Sequence, residues 1–248
     1  RYKGEMLLNK KKHILIEKPK DDTTDEAQAL DNLASEMGSV LQVGHIERFN
    51  PVLGEIEERL KDPRFIEVHR LSPFPNRSMD IGVVLDLMIH DIDVILSIVN
   101  APIKNIDASG VAVISDTPDI ANARIVFENG CVANLTSSRI SLKKMRKSRF
   151  FQKDAYIAVD FLDKKVEVVK MKDAPKEKDD LAIILQNAEG NKKQIYFENP
   201  EIEITNAIQR ELEDFASAIE HKTNPKVSLQ DGARALAVAH SIIEAMQH

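Results

Sequence analysis

At 248 residues, 43 % of them apolar, the chain is long enough to bury a sizeable core, as one large domain or one and a half. Its 40 acidic side chains outnumber 34 basic ones, and the formal net charge of −6 argues against a general nucleic-acid binder. The single cysteine, Cys131, excludes an internal disulfide and any cysteine-built zinc cluster, and no charged-then-apolar leader or uncharged membrane-length run occurs, so a soluble, cytoplasmic protein is expected.

The first elements alternate. Residues 5–12 read as the end of a helix, 13–19 as a strand stopped by Pro19, and Thr23 with Glu26 as a capping box opening a helix that runs to Met37 and Gly38. Residues 39–45 read as a second strand, so 5–45 form an α-β-α-β run that implies parallel strands joined by crossover helices, the edge of an open α/β sheet. After Phe49-Asn50-Pro51 come an amphipathic helix over 52–60, a strand over 64–71 and a loop over 72–77.

Residues 80–99 are too long an apolar run for one strand and contain no proline, which predicts a helix buried on nearly every face. Strands are predicted at 103–114, 120–127, 131–139, 149–160, 165–169 and 194–197. Asn129-Gly130 marks a hairpin, because these residues accept positive φ, and Asp163-Lys164 marks another turn. Residues 171–180 read as a solvated charged loop. Helices over 203–220 and 229–246 close the chain, the second capped by Ser228. The fold class is therefore α/β plus α+β: the remnant edge of a doubly wound parallel sheet, followed by a large, mostly antiparallel, open-faced sheet covered by helices on one face.

The helix over 80–99 carries the conspicuous polar groups. At about 100° per residue, Asp86, His90 and Asp93 share one stripe of an otherwise apolar cylinder, and such groups are rarely buried without a partner or a task. Ligands of open α/β sheets bind beyond the carboxyl ends of the strands, where Lys18 sits with Pro19 blocking further pairing. Together these residues suit oxidation of a secondary alcohol. An imidazole, which titrates near about 6.5 when unperturbed, makes His90 a base, Lys18 steadies the developing alkoxide, and Asp86 or Asp93 orients His90 or holds a sugar hydroxyl. Two other readings stand beside this one: a satisfied hydrogen bond inside the helix, and a divalent-metal site using two carboxylates and one imidazole.

The strand Ile14-Leu15-Ile16-Glu17-Lys18-Pro19 resembles the Glu-Lys-Pro strand of the Gfo/Idh/MocA oxidoreductases, the glucose-fructose oxidoreductase and inositol dehydrogenase family. Gly82 through Asp93 resembles that family's Gly-x-x-x-Asp-x-x-x-His-x-x-Asp helix, and Ser228-Leu229-Gln230-Asp231-Gly232 agrees with its last helix start. The resemblance implies Lys18 and His90 as catalytic pair with Asp86, Asp93 beside the substrate; of the two other readings, the metal site is set aside because three ligands on one helix rarely converge, and no metal is expected. It also implies Glu17, Lys18, Pro19, His45 and Arg48 toward the nicotinamide of NAD or NADP, NAD favoured, and Arg48 and Asn50 near the substrate, these two against a reading as hinge packing. It further implies a division into residues 1–48, the C-terminal portion of a Rossmann domain, and 49–248, a substrate-binding and oligomerisation domain. Assembly would be a homodimer or homotetramer through the open sheet face. The family's Gly-x-Gly-x-x-Gly loop is not found here, so roughly 100 residues are expected ahead of Arg1, and a chain without them should bind dinucleotide poorly.

Within the family, residues 43–51 and 80–93 look most like the branch that oxidises UDP-N-acetylglucosamine at C3. The acid-free series Arg139, Lys143, Lys144, Arg146, Lys147 and Arg149 suits a diphosphate, with Arg139, Lys143 and Arg146 as substrate contacts; a solubilising edge or loop is the other reading. The remaining alternatives are a dehydrogenase of a simple sugar or inositol, and a non-catalytic sugar-binding or oligomerisation fragment.

Overall fold

The computed structural model describes residues 2–17, 24–74, 81–173, 183–186, 190 and 192–247. The first unit holds helices α1 (Tyr2–Leu8) and α2 (Thr24–Met37) and strands β1 (Ile14–Ile16) and β2 (Leu41–Val43). The strands pair in parallel, Ile14 opposite Leu41 and Ile16 opposite Val43, as a crossover through a helix requires. Leu8, Ile14, Leu30, Ala34, Leu41 and Val43 form its core, closed from the far end of the chain by Val227 and Leu229. Lys18, Pro19 and the Thr23 half of the expected capping box lie outside the described residues.

A 3₁₀ turn (Ile46–Phe49) and α3 (Pro51–Glu57) lead into β3 (Pro63–Leu71), then a π turn (Val84–Met88) continues into α4 (Ile89–Ile98). Eight further strands follow: β4 (Ile103–Val111), β5 (Ile120–Phe127), β6 (Val132–Ser138), β7 (Met145–Gln152), β8 (Ala155–Asp160), β9 (Lys165–Asp173), β10 (Ile183–Gln186) and β11 (Lys192–Glu198). Helices α5 (Ala207–His221) and α6 (Leu229–Ala245) complete the fold. The nine strands of the large sheet run in the order β10-β11-β9-β8-β7-β3-β6-β5-β4. Every pairing is antiparallel except β3 with β6, which the chain joins by passing through α4 and the β4-β5 hairpin.

Alternation decides the layers. On β5, Ala121, Ala123, Ile125 and Phe127 are buried while Asn122 and Arg124 are exposed, so one sheet face is covered and the other open. Val52, Leu53 and Ile56 of α3, Ile92 and Ile95 of α4, and Leu236, Ala239 and Ile242 of α6 pack on the covered face. Helix α6 also touches β2 and α2, so it joins both cores. Its start is fixed by a capping box: Ser228 Oγ accepts from the Asp231 backbone N–H, and Asp231 returns a bond to the Ser228 N–H at 2.9 Å.

Three segments differ from the sequence expectation. Residues 149–160 form two strands, because the chain turns at Asp154, whose φ of 59° is one an aspartate can hold without glycine. Strand β10 arises where none was read, and β9 runs to Asp173, three residues into the stretch read as a charged loop; pairing with β11 overrides its polar composition. Helix α5 begins at Ala207, since Asn206 supplies the cap by accepting from the N–H groups of Ile208 and Gln209. Among the described residues, no helix is long and apolar enough to cross a membrane.

Candidate active site

Two elements meet where β2 ends. Gly44 donates to the Ile16 carbonyl at 2.8 Å, which ties the end of β2 to the end of β1. A Cβ at Gly44 would stand 3.1 Å from Glu17 Oε2, so the absence of a side chain lets the exposed Glu17 lie against this corner. The next residue, His45, is 1 % exposed. The 3₁₀ turn that follows carries Glu47 inward on one side and Arg48 on another.

The central helix approaches from the opposite side. The Ile89 N–H bonds to the Val84 carbonyl, five residues back, whereas the Asp86 N–H bonds to Gly82, four back. The extra residue in that turn breaks the uniform 100° progression, so the straight stripe expected through Asp86, His90 and Asp93 is bent at Asp86. His90 and Asp93, both in the regular part, keep their spacing. Among the described residues, no three His, Cys, Asp or Glu side chains are grouped to hold a metal ion.

Four of the expected residues come together. The His45 and His90 rings lie edge to face with centroids 6.4 Å apart and planes at 86°. Asp93 Oδ2 is 3.9 Å from His45 Nδ1, and Asp93 Oδ1 is 3.3 Å from Arg48 Nη1. Asp93 is almost wholly buried, and that burial pushes its carboxyl up to about 7; Arg48 opposes the rise and Asp231, at the start of α6, adds to it. The site thus holds two imidazoles, one guanidinium and one carboxyl that changes charge near neutrality. These are the groups that proton abstraction from a hydroxyl needs.

The other expected residues are placed differently. Asn50 caps α3 by accepting from the Val52 N–H, and its amide donates to Glu47 Oε2 and to the Phe161 carbonyl, so it holds the junction into α3. Asp86 is half-buried on the π turn, and Glu17 is at the exposed end of β1. Lys18 and Pro19 fall outside the described residues.

The cationic series is not one surface. Arg139 is turned inward at 1 % exposure: its Nε donates to Asp119 Oδ1 at 2.8 Å, Nη1 to the Ile81 carbonyl at 2.6 Å and Nη2 to Thr117 at 3.0 Å. All three nitrogens are engaged, so Arg139 is corrected from a substrate contact to an internal clamp. Arg146 pairs with Glu47, Lys147 with Asp160 and Arg149 with Glu67, which neutralises most of the series; Lys143 is exposed in the β6-β7 loop. These residues lie on an interior strand, β7, and its connection, so they form no sheet edge, while the exposed Lys143 and Lys144 fit the loop half of that reading. What sequence reasoning missed is a second buried group, Glu47, Arg70 and Asp91. The signal was available: Ile66, Val68 and Arg70 alternate on β3, so Arg70 had to point into the core.

Residues 57–156 match the GFO/IDH/MocA C-terminal domain. UDP-N-acetylglucosamine 3-dehydrogenase of Acidithiobacillus ferrooxidans is 40 % identical over 166 residues, 66 % of this chain and 53 % of that protein. The scyllo-inositol 2-dehydrogenase (NAD(+)) of Bacillus subtilis is 27 % identical over 158 residues, 56 % of this chain and 46 % of that one. The chain spans about half the length of the curated relatives it matches. A solved structure of the Acidithiobacillus ferrooxidans enzyme superposes with a TM-score of 0.86 at 33 % identity, covering 98 % of this chain and 74 % of that one. A probable dehydrogenase from Thermotoga maritima shares the fold, with a TM-score of 0.74 at 17 % identity. With residues 57–156 matching the family's C-terminal domain and a solved relative at 33 % identity superposing over 98 % of the chain, the chain belongs to the GFO/IDH/MocA family.

Proposed function

We propose that this chain is the substrate side of an NAD(P)-dependent dehydrogenase that oxidises a secondary hydroxyl of a nucleotide sugar, with C3 of UDP-N-acetylglucosamine as the first candidate. The observation that carries the reading is the convergence of His45, Arg48, His90 and Asp93 beyond the carboxyl ends of the parallel β1-β2 pair. The named Acidithiobacillus ferrooxidans relative supports the choice of sugar.

In this reading His90 accepts the hydroxyl proton while the carbinol C–H leaves as hydride, so the alcohol becomes a ketone. When bound, the nicotinamide supplies the hydride acceptor. Lys18 steadies the alkoxide, Asp86 and Asp93 bind sugar hydroxyls, and Glu17, Pro19, His45 and Arg48 face the nicotinamide end. Burial around His45 and Asp93 keeps water from the reacting groups. Lys143 is the cation offered to the diphosphate, since Arg146 is paired with Glu47. NAD is the proposed acceptor, residues 1–48 are the proposed end of a Rossmann domain and 49–248 the substrate domain, and the open sheet face is the proposed surface of a homo-oligomer.

The test mixes full-length protein with NAD and UDP-N-acetylglucosamine and follows absorbance at about 340 nm, where reduced nicotinamide absorbs. Scyllo-inositol serves as the competing substrate. Turnover of the nucleotide sugar, abolished in His90→Asn, is the expected result. Full turnover by His90→Asn removes the base assignment, and turnover of inositol alone removes the nucleotide sugar.

A further inference from the structure

Behind the site lies a buried polar network that the proposed chemistry does not use. Arg70, on the interior strand β3, is 3 % exposed and makes a two-pronged contact with Asp91: Nε donates to Oδ2 and Nη2 to Oδ1, each at 2.7 Å. Its third nitrogen, Nη1, donates to Glu47 Oε1 at 3.1 Å. The same oxygen accepts from Arg146 Nη1 at 3.0 Å, and Glu47 Oε2 accepts from Asn50 at 3.1 Å. Two guanidiniums meet two carboxylates, so the network is electrically closed.

Its partners are neighbours of the residues at the site. Asp91 follows His90, and Glu47 precedes Arg48. Asp91 and Asp93 are two positions apart on α4, roughly 200° around the helix, so the Arg70–Asp91 and Arg48–Asp93 links hold opposite sides of it. One link binds α4 and the 3₁₀ turn to the sheet, and the other binds them to each other across the site. Buried ion pairs add little net stability compared with apolar packing of the same volume, so stability alone does not account for charge at this place.

We propose that Arg70 is a positioning residue of the dehydrogenase, setting His90 and Arg48 relative to one another by holding Asp91 and Glu47. The proposal rests on the reading above of the site as a dehydrogenase centre. Misplacing a reacting group by about 1 Å costs on the order of 100-fold in rate, and the fork geometry of a guanidinium is what fixes two carboxylates at once. An ammonium keeps the charge but not the fork.

The experiment compares full-length wild-type protein with Arg70→Lys and Glu47→Gln. Arg70→Lys is expected to lower kcat at least about tenfold while KM for the nucleotide sugar stays within about threefold, and to displace the pH profile of kcat. Glu47→Gln, which keeps the shape and an acceptor oxygen, is expected to show a smaller loss in the same direction; it carries the test if Arg70→Lys does not fold. Should the folded variants keep kcat and the pH profile within about twofold of wild type, the positioning role is overturned. A second readout is independent of turnover: the His45 and His90 imidazole titrations, followed by NMR, are expected to shift in the folded variants. Wild-type protein without turnover would defeat the dehydrogenase reading, and unshifted titrations would then defeat the positioning role on their own.

Discussion

Arg48 and Asp93 face each other at 3.3 Å across the junction between the 3₁₀ turn and the central helix, and the guanidinium does not compensate the burial of the carboxyl. The Asp93 pKa rises from the usual 3.8 to about 7, with burial the largest cause. The folded chain therefore keeps a proton that the unfolded chain has lost between these two values, and stability contributed by this group falls as pH rises through that window. Asp93→Asn removes the titration. The stability of wild type relative to Asp93→Asn is expected to decline from pH 4 to pH 7, by up to about 4 kcal/mol, in urea unfolding at fixed ionic strength. A pH-independent difference would show that the carboxyl titrates near its ordinary value.

Arg139 supplies a prediction of opposite kind. Asp119 is buried, which by itself opposes ionisation, but it accepts from the N–H groups of Val113, Ile114 and Ser115 and from Arg139, and these hold its carboxyl well below the usual range. Its contribution is present above the ordinary aspartate pKa and is lost as pH falls. Arg139→Met leaves the carboxylate without its cation and the Ile81 carbonyl without its donor. A loss of about 3–5 kcal/mol in urea unfolding is expected at neutral pH. A loss below about 1 kcal/mol would mean that the three backbone N–H groups suffice.

Much of this architecture was legible from spacing. The strands read at residues 120–127 and 131–139, with Asn129-Gly130 between them as a hairpin, are both present, and Gly130 does hold a φ of 85°. The pairing of β1 with β2 followed from the helix between them. Side-chain partners across the fold were less legible. Arg139 looked unpaired because its acid, Asp119, lies 20 positions upstream, beyond any local pattern. The π turn was invisible for a related reason: apolar residues occupy nearly every face of residues 80–99, so an inserted residue leaves no break in the pattern. The convergence of His45 with His90 is tertiary, set by how the 3₁₀ turn meets α4.

The open sheet face gives a prediction about assembly. Phe65, Phe151 and Tyr156 stand side by side there across three paired strands, with ring centroids 5.9 Å and 5.0 Å apart, facing away from the helices. A second copy of the chain is the proposed cover for this row. Phe151→Glu is expected to move full-length protein from oligomer to monomer in sedimentation velocity at micromolar concentration, with the far-UV spectrum unchanged. An unaltered sedimentation coefficient would place the contact elsewhere.

Gly232 is the point at which α6 touches the parallel pair. A Cβ there would stand 3.0 Å from both γ-carbons of Val43 and 3.3 Å from its Cβ, and Val43 is fully buried on β2, in an interior that is close-packed as a rule. Alanine is the better helix former by about 1 kcal/mol, so an exposed Gly232 would gain from the change. Here the crowding acts against that gain, and Gly232→Ala is expected to lose about 1–3 kcal/mol in urea unfolding. The diagnosis has a direct check, because shortening Val43 should relieve the same contact. In the Gly232→Ala background, Val43→Ala is expected to cost at least about 1 kcal/mol less than it does alone, a coupling that two independent sites would not show. Additive losses would mean that α6 shifts as a whole to accept the methyl group, and that the seam between the two cores is softer than its packing indicates.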